Sequence, residues 1–385
     1  MRKDEFTALA PGALVPVENG CAFIANPLPP DLQSSWSIHS ADERARGALG
    51  EVVGQARLIQ NEALIVRPLL TREAVESNKI ENTITRAAEV LLQEAGRPPA
   101  DPEKANDNSE VLRYLHTLAL GESEIRDGRS LSLHLLRSLH MELLKGSRGE
   151  YRGSGVFRTE PVLIGKDGDD FLTARFVPSP WEHVQSAMDG LEQFIAQPPP
   201  YSPLIACALL HYQFETIHPF HDGNGRLGRL MLPLYLQHHG VIDRSILYLS
   251  PYFEAHRDMY IELLKRVSTH GDWEAWILFF LQGVLWQAQD ARDRVKRIME
   301  LQARYRERAR SKGRTKATLP AIDVVMERVV VTARDIQNYV TNLSDNTARA
   351  AIRDLVALKI LNPVPLSTFP QRWWAQELID QVYQS

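Results

Sequence analysis

The chain has 385 residues, with 44 Lys plus Arg against 48 Asp plus Glu and a formal charge of −4. Apolar residues make up 44% and charged residues 24%, the composition of a soluble globular protein with room for two or three domains. These figures exclude disorder, collagen-like repeats and a disulfide scaffold; the two cysteines, Cys21 and Cys207, offer no zinc spacing and fit a reducing, cytoplasmic compartment.

The start, Met1 to Phe6, lacks the apolar core of a secretory signal, and residues 1–35, with Pro11, Pro16, Pro27, Pro29 and Pro30, read as an extended arm. From Ala41 to about Leu92 the pattern turns helical, with Leu58, Ile59, Leu64, Ile65, Leu69 and Leu70 at three- and four-residue spacing. A loop is expected over 98–108, then helices over 109–120, 131–145, 181–196 and 203–217. One segment breaks the helical rhythm. Val162 to Ile164 and Phe171 to Val177 read as two short strands around Gly165-Lys166-Asp167-Gly168, stopped by Pro178-Ser179-Pro180. Two strands alone are marginally stable, so this hairpin is expected on the surface beside something it serves.

The most apolar stretch, Trp276 to Trp286, is about half the length of a bilayer span and reads as a buried helix, so no membrane partner is expected. Ala291 to Pro320 holds 11 Lys/Arg against 3 Asp/Glu, net +8, which suits an exposed linking helix or a nucleic-acid footprint. After Pro320, Val331 to Ile336 begins a short helix and Leu343-Ser344-Asp345 makes a turn. A second helix, Asn346 to Leu358, turns Ala348, Ala351, Ile352, Leu355 and Leu358 inward and displays Arg349 and Arg353. With the short β-like tail that follows, this is a winged-helix pattern, a unit that binds DNA or protein. The expected domains are 1–108 (arm and helical region), 109–290 (core), 291–320 (basic helical linker) and 321–385 (winged-helix-like domain).

Chemistry concentrates in His218-Pro-Phe-His-Asp222-Gly223-Asn224-Gly225-Arg226-Leu227-Gly228-Arg229. Each residue type has a task if the ligand is a nucleoside triphosphate. Glycines let backbone N–H groups turn toward phosphate oxygens, and a helix starting at Asn224 or Gly225 aims its positive end at the same anion. Arg226 and Arg229, three apart, share a helix face and can fork onto two phosphates. Asp222 supplies an oxygen ligand for Mg²⁺, and His218, which titrates near neutrality, can take a proton from an attacking hydroxyl. A transition-metal cluster of His218, His221 and Asp222 lacks further spaced ligands and leaves both arginines without a role.

At every defined position the string resembles the signature of the Fic-domain family, H-x-F-x-(D/E)-G-N-G-R-x-x-R. The resemblance implies a mainly α fold, a Fic-type helical bundle with a small β-hairpin flap, to which the C-terminal winged helix-turn-helix is appended. It implies a protein adenylyltransferase that moves AMP from ATP to a Tyr, Thr or Ser hydroxyl of a target protein, Gly225 resembling the AMP-transferring members. By resemblance His218 is catalytic and Asp222 holds Mg²⁺. Gly223, Asn224, Gly225, Arg226, Leu227, Gly228 and Arg229 bind the nucleotide, and Tyr252 and Tyr260 enclose the adenine. Val162, Ile164 and Gly165, with Ala174, Phe176 and Pro178 opposite, look like the flap, which pairs with a target segment by strand addition.

Upstream, Ser77-Asn-Lys-Ile-Glu81-Asn82 resembles the family's inhibitory helix, (S/T)-x-x-x-E-(G/N), expected over about 70–92, with Asn78 where a second serine is frequent. Ser77 and Glu81 lie on one helix face. The resemblance implies that Glu81 pairs with Arg229, takes the donors the nucleotide needs, and so autoinhibits the enzyme. It also allows a homodimer and a reverse activity in which Glu81 orients water to remove AMP from a modified protein. The remaining alternative is a DNA-binding regulator in which the Fic core is secondary.

Overall fold

The computed structural model describes the chain except for Ser34, residues 58–60 and 62, 148–152, Asp167, Ser245, Thr315, 341–342, 366–369 and 384–385. Leu58 and Ile59 of the helical stripe and Asp167 of the hairpin turn therefore lie outside the described residues. The chain opens with strands β1 (Gly12–Val17) and β2 (Gly20–Ala25), then helices α1 (Trp36–Arg57), α2 (Ala63–Ile80), α3 (Ala87–Glu94) and α4 (Pro102–Arg126). Helices α5 (Leu133–Leu144), α6 (Val184–Ala196), α7 (Pro203–Ile217), α8 (Asn224–His238), α9 (Ser250–Ala255) and α10 (Arg257–His270) follow. The remainder is α11 (Trp273–Ser311), α12 (Thr318–Arg328), β3 (Val330–Val331), α13 (Ala333–Tyr339), α14 (Asp345–Ala357), β4 (Asn362–Pro363) and β5 (Trp373–Trp374). The fold is mainly α, as expected, and no described helix is long and apolar enough to cross a membrane.

Three elements depart from the sequence reading. Residues 12–25, expected as an extended arm, form an antiparallel hairpin in which Pro16 faces Cys21 on an edge strand, where a missing N–H is tolerated. Helix α4 begins at Pro102, inside the expected loop. Asp101 Oδ1 accepts the Glu103 N–H at 3.0 Å and Pro102 takes the first helical position, so the loop-forming residues act as a start signal. The expected strands at 162–177 shrink to one antiparallel bridge between Ile164 and Phe176.

The domains expected from linear cuts at 108, 290 and 320 are interleaved instead. One compact unit comprises Met1–Val53, Glu76–Thr83 and Arg113–Ala288; the other comprises Gly54–Val75, Ile84–Leu112 and Gln289–Ser385. In the first unit, α7 is buried from Leu204 to Ile217 except for Glu215, which is why its sequence is apolar all round rather than striped. It is tied to its neighbours by Trp276 Nε1 donating to Ala208 O (2.9 Å) and by the Tyr212 and Ser268 hydroxyls (2.9 Å). Close crossing of α7 and α8 needs Gly228: a Cβ there would lie 2.4 Å from Glu215 Oε1 and 3.1 Å from the Phe214 ring.

In the second unit, α12 and α14 pack around Val325, Ile336, Ile352 and Leu355, with Leu64 and Leu91 from α2 and α3 in the same core. A three-stranded antiparallel sheet runs β3–β5–β4. Thr332 and Asp335 form a reciprocal cap on α13, and Ser344 accepts the Thr347 N–H at 3.2 Å to start α14. Ala348, Ala351, Ile352 and Leu355 are buried as expected, Leu358 only partly, and Arg349 and Arg353 are exposed. The basic run belongs to this unit. Arg306 forks onto Asp323 at 2.7 and 2.9 Å, Arg304 and Arg308 reach Glu377, and Arg294 holds Asp290. Much of its positive charge is thus matched by carboxylates of its own unit.

Candidate active site

Helix α7 stops at His218, whose left-handed backbone (φ 50, ψ 62) turns the chain out of the helix. Such a conformation is costly for a residue with a Cβ and must be held by its surroundings. Arg158 holds it. Its buried guanidinium donates to His218 O (2.9 Å), Ile217 O (3.3 Å), Ser179 O (2.6 Å) and Glu160 O (3.3 Å), while its own N–H binds Pro219 O (2.9 Å). Burial pulls the Arg158 pKa down to about 10, opposed by Glu182.

The turn beyond His218 is built from inside. Asn224 Oδ1 accepts the Phe220 N–H (2.9 Å) and its Nδ2 donates to Phe220 O (2.8 Å), so this side chain closes the loop. His140 stacks on the Phe220 ring at 3.7 Å and 10°. Gly155 N–H donates to His140 Nδ1 (2.8 Å), so Nε2 carries the proton given to Asp222 O (2.8 Å). Burial holds this imidazole neutral, its pKa lowered to about 4. Gly223, at φ 74, is the left-handed residue before α8, and Leu227 is wholly buried in the core.

His218 Nδ1 lies 3.3 Å from Glu215 O, which places the ring proton on Nδ1 and leaves Nε2 as the basic nitrogen. Burial and the Arg158 charge lower the His218 pKa to about 4, against the opposing pull of Glu215 O, Glu81 and Asp222. The ring is therefore unprotonated at neutral pH. Arg229, 2% exposed, is held through two of its nitrogens: Nε donates to Ser77 Oγ (2.9 Å), Nη2 to Ser77 O (2.9 Å) and to Glu81 Oε1 (2.7 Å). Desolvation by the surrounding walls opposes ionisation of the partly exposed Glu81 carboxylate, but the Arg229 ion pair and hydrogen bond outweigh it and keep the group ionised. Glu81 lies over the start of α8: a Cβ on Gly225 would meet Glu81 Oε1 at 2.4 Å and Arg229 Nη1 at 2.9 Å. Asn82, left-handed at φ 66, ends the helix, and Arg257 Nη2 clamps that end through Ile80 O (2.7 Å) and Asn82 Oδ1 (3.4 Å).

These groups share one cavity of about 280 Å³, whose lining includes His218, Gly225, Arg229, Glu81, Tyr260 and the flap residues Ile164 and Gly165. Tyr260 donates to or accepts from His211 Nε2 at 2.8 Å. Tyr252 packs against Gly283, His256 and Phe279 and is not among the residues lining this cavity. Val162 also departs from expectation, lining a separate cavity of about 150 Å³ beside Arg158 and Trp181. Arg226 lies 3.4 Å from Asp222 Oδ1, which also accepts the Gly223 N–H at 2.6 Å.

The Asp222 side chain is 43% exposed, and no group of three His, Cys, Asp or Glu converges among the described residues. A single accessible carboxylate suits Mg²⁺ bound jointly with phosphate oxygens and does not suit a transition metal. Sequence reasoning missed Arg158, His140, Arg257 and Glu215. Glu215 lines the cavity, and burial raises its pKa to about 7 although Arg229 opposes this. Its position three before His218 was the one available signal.

Residues 130–236 match the Fic/DOC family and residues 39–123 the Fic/DOC family N-terminal region. A protein adenylyltransferase Fic of Nematostella vectensis is 27% identical over 216 residues, covering 54% of this chain and 44% of the relative. The chain thus spans less than half the length of that relative. A Fic family protein from Desulfovibrio desulfuricans G20 shares the fold at TM-score 0.55 and 19% identity, covering 90% of this chain and 98% of its own. Fic-1 (aa134–508) of Caenorhabditis elegans does so at TM-score 0.54 and 17% identity, covering 67% and 74%. With the signature folded around one cavity and both family regions matched in order, the chain belongs to the Fic/DOC family.

Proposed function

We propose that the chain is a protein adenylyltransferase held in an autoinhibited state by Glu81. The observation that carries this reading is the shared cavity: a neutral His218 and Arg229 line it together, and Glu81 occupies Arg229. A target hydroxyl gives its proton to His218 Nε2 as its oxygen bonds to the α-phosphorus of ATP. The bond from that phosphorus to the bridging oxygen breaks, and pyrophosphate leaves with the electron pair. Asp222 would hold Mg²⁺, which neutralises phosphate charge when bound. The N–H groups at the start of α8, with Arg226 and Arg229, would orient the phosphates, since such transfer depends chiefly on positioning and charge stabilisation.

Autoinhibition follows from occupancy. While Glu81 engages Nη2 of Arg229 and lies on Gly225, both the guanidinium and the helix mouth are denied to the terminal phosphate. Replacing Glu81 by Gly is expected to raise self-labelling from ATP radiolabelled at the α-phosphate by at least about tenfold, about 1.4 kcal/mol in these terms. His218→Ala in that background is expected to abolish labelling while a fluorescent ATP analogue still binds. Unchanged labelling in either variant overturns the reading. A reverse activity is supported by the half-exposed Glu81 carboxylate in the same cavity as His218, where it could orient water. Release of AMP from an adenylylated protein by the unaltered chain tests it.

A further inference from the structure

We propose that the N-terminal hairpin is a brace for the flap, with Phe23 as its positioning residue, so that acceptor docking depends on β2 while nucleotide binding does not. The inference rests on the adenylyl-transfer reading for its functional half. Its structural half stands on backbone geometry.

Ile164 and Phe176 exchange both backbone bonds, Ile164 N–H to Phe176 O at 2.9 Å and Phe176 N–H to Ile164 O at 3.0 Å. In an antiparallel pair the groups of successive residues point to opposite sides, so those of Val177 face away from Ile164. On that side Phe23 N–H donates to Val177 O at 3.1 Å. Pro178 offers no further donor. The segment 176–177 is therefore taken on both edges, and the order across the surface is β1, β2, 176–177, Ile164. The edge still facing outward is that of Leu163 and Gly165. An incoming extended chain has one side on which to add, and that side leads to the cavity walled by Ile164, Gly165 and Phe176.

Side chains reinforce the join. The Phe23 ring meets Phe176 edge-on at 6.1 Å and 64°, and both are buried with Val177, Ala174, Cys21 and Ala22 in one small core. Asn19, in the hairpin turn, donates to Asp170 Oδ2 at 2.9 Å, and Gly20 is so close that a Cβ would lie 2.7 Å from Phe171 O. The N-terminal segment is in turn fixed to α10 by Glu5 on Lys265 Nζ (2.6 Å) and Thr7 N–H on Thr269 O (2.8 Å). A lone bridge such as Ile164 with Phe176 cannot hold its own register. The hairpin supplies what it lacks.

The test uses the full chain in the Glu81→Gly background, comparing Phe23→Ala, the conservative Phe23→Leu and the milder Asn19→Ala. Hydrogen exchange at the Ile164 and Phe176 amides is expected to quicken in Phe23→Ala while α7 and α8 stay protected. Self-labelling is expected to fall about tenfold or more, the cost of a misplaced acceptor, with affinity for a fluorescent ATP analogue unchanged. Phe23→Leu should recover most of both, and Asn19→Ala should move both the same way to a smaller degree. Unchanged exchange overturns the brace, and so does a loss of labelling matched by loss of nucleotide affinity. If the Glu81→Gly parent labels nothing, the adenylyl-transfer reading fails and exchange alone decides the brace.

Discussion

His218 shows how one side chain acquires a role from its surroundings. A free imidazole titrates near 6.5, half-protonated close to neutrality. Here burial and the nearby Arg158 charge hold it at about 4, so Nε2 is free to accept a proton across the physiological range. The sign is fixed: protonation of Nε2 removes the base. In the Glu81→Gly variant kcat/KM should therefore climb with pH through a midpoint well below the ordinary imidazole value and then level off. Removing the Glu81 charge, which raises this pKa, moves the midpoint no higher. An acid limb centred at or above about 6.5 in the labelling rate would overturn this assignment of the base. Arg229 is the complementary case. It is buried and paired with Glu81, so under the proposed function a nucleotide phosphate would compete with a carboxylate already in place.

At the level of elements, the site is made by two helices that meet tightly and by the turn between them. Helix α7 delivers His218 and Glu215; α8 delivers the glycine mouth and both arginines. Their approach depends on Gly228, where an added methyl would press on the Phe214 ring and the Glu215 carboxylate at 3.1 and 2.4 Å. Gly228→Ala is expected to destabilise by about 1–3 kcal/mol, the usual cost of overpacking, read as a lowered Tm. An unchanged Tm would mean the helices part without penalty. The flap illustrates the opposite limit. Two strands were legible at 162–177, but they are realised only as the bridge of Ile164 with Phe176, and the next residue, Val177, pairs instead with a neighbouring strand through Phe23. That neighbour is the hairpin at 12–25, whose prolines disguised it as an arm.

For the whole molecule, the interleaving of units changes what can be cut away. Leu64 and Leu91 share a core with Val324, Val325 and Leu355 of the C-terminal region, so residues 315–385 are not a detachable module. A chain ending at Arg314 should lose its cooperative thermal transition for this unit or aggregate, because it exposes that core; a well-behaved truncation with an unaltered first-unit transition and no added exposed apolar surface, by dye binding, would contradict this. The sequence by itself determined the His218–Arg229 signature, the Ser77/Glu81 spacing, the mainly helical class and the helix pair at the C terminus. Those features are local: turn glycines, caps and three- to four-residue spacing act over a few residues. Only the tertiary structure decided that Arg158 and His140 shape the turn after His218, that Tyr252 stands outside the cavity, and that distant segments share cores. These depend on which buried carbonyls and rings come together across long stretches of chain, and periodicity carries no record of that.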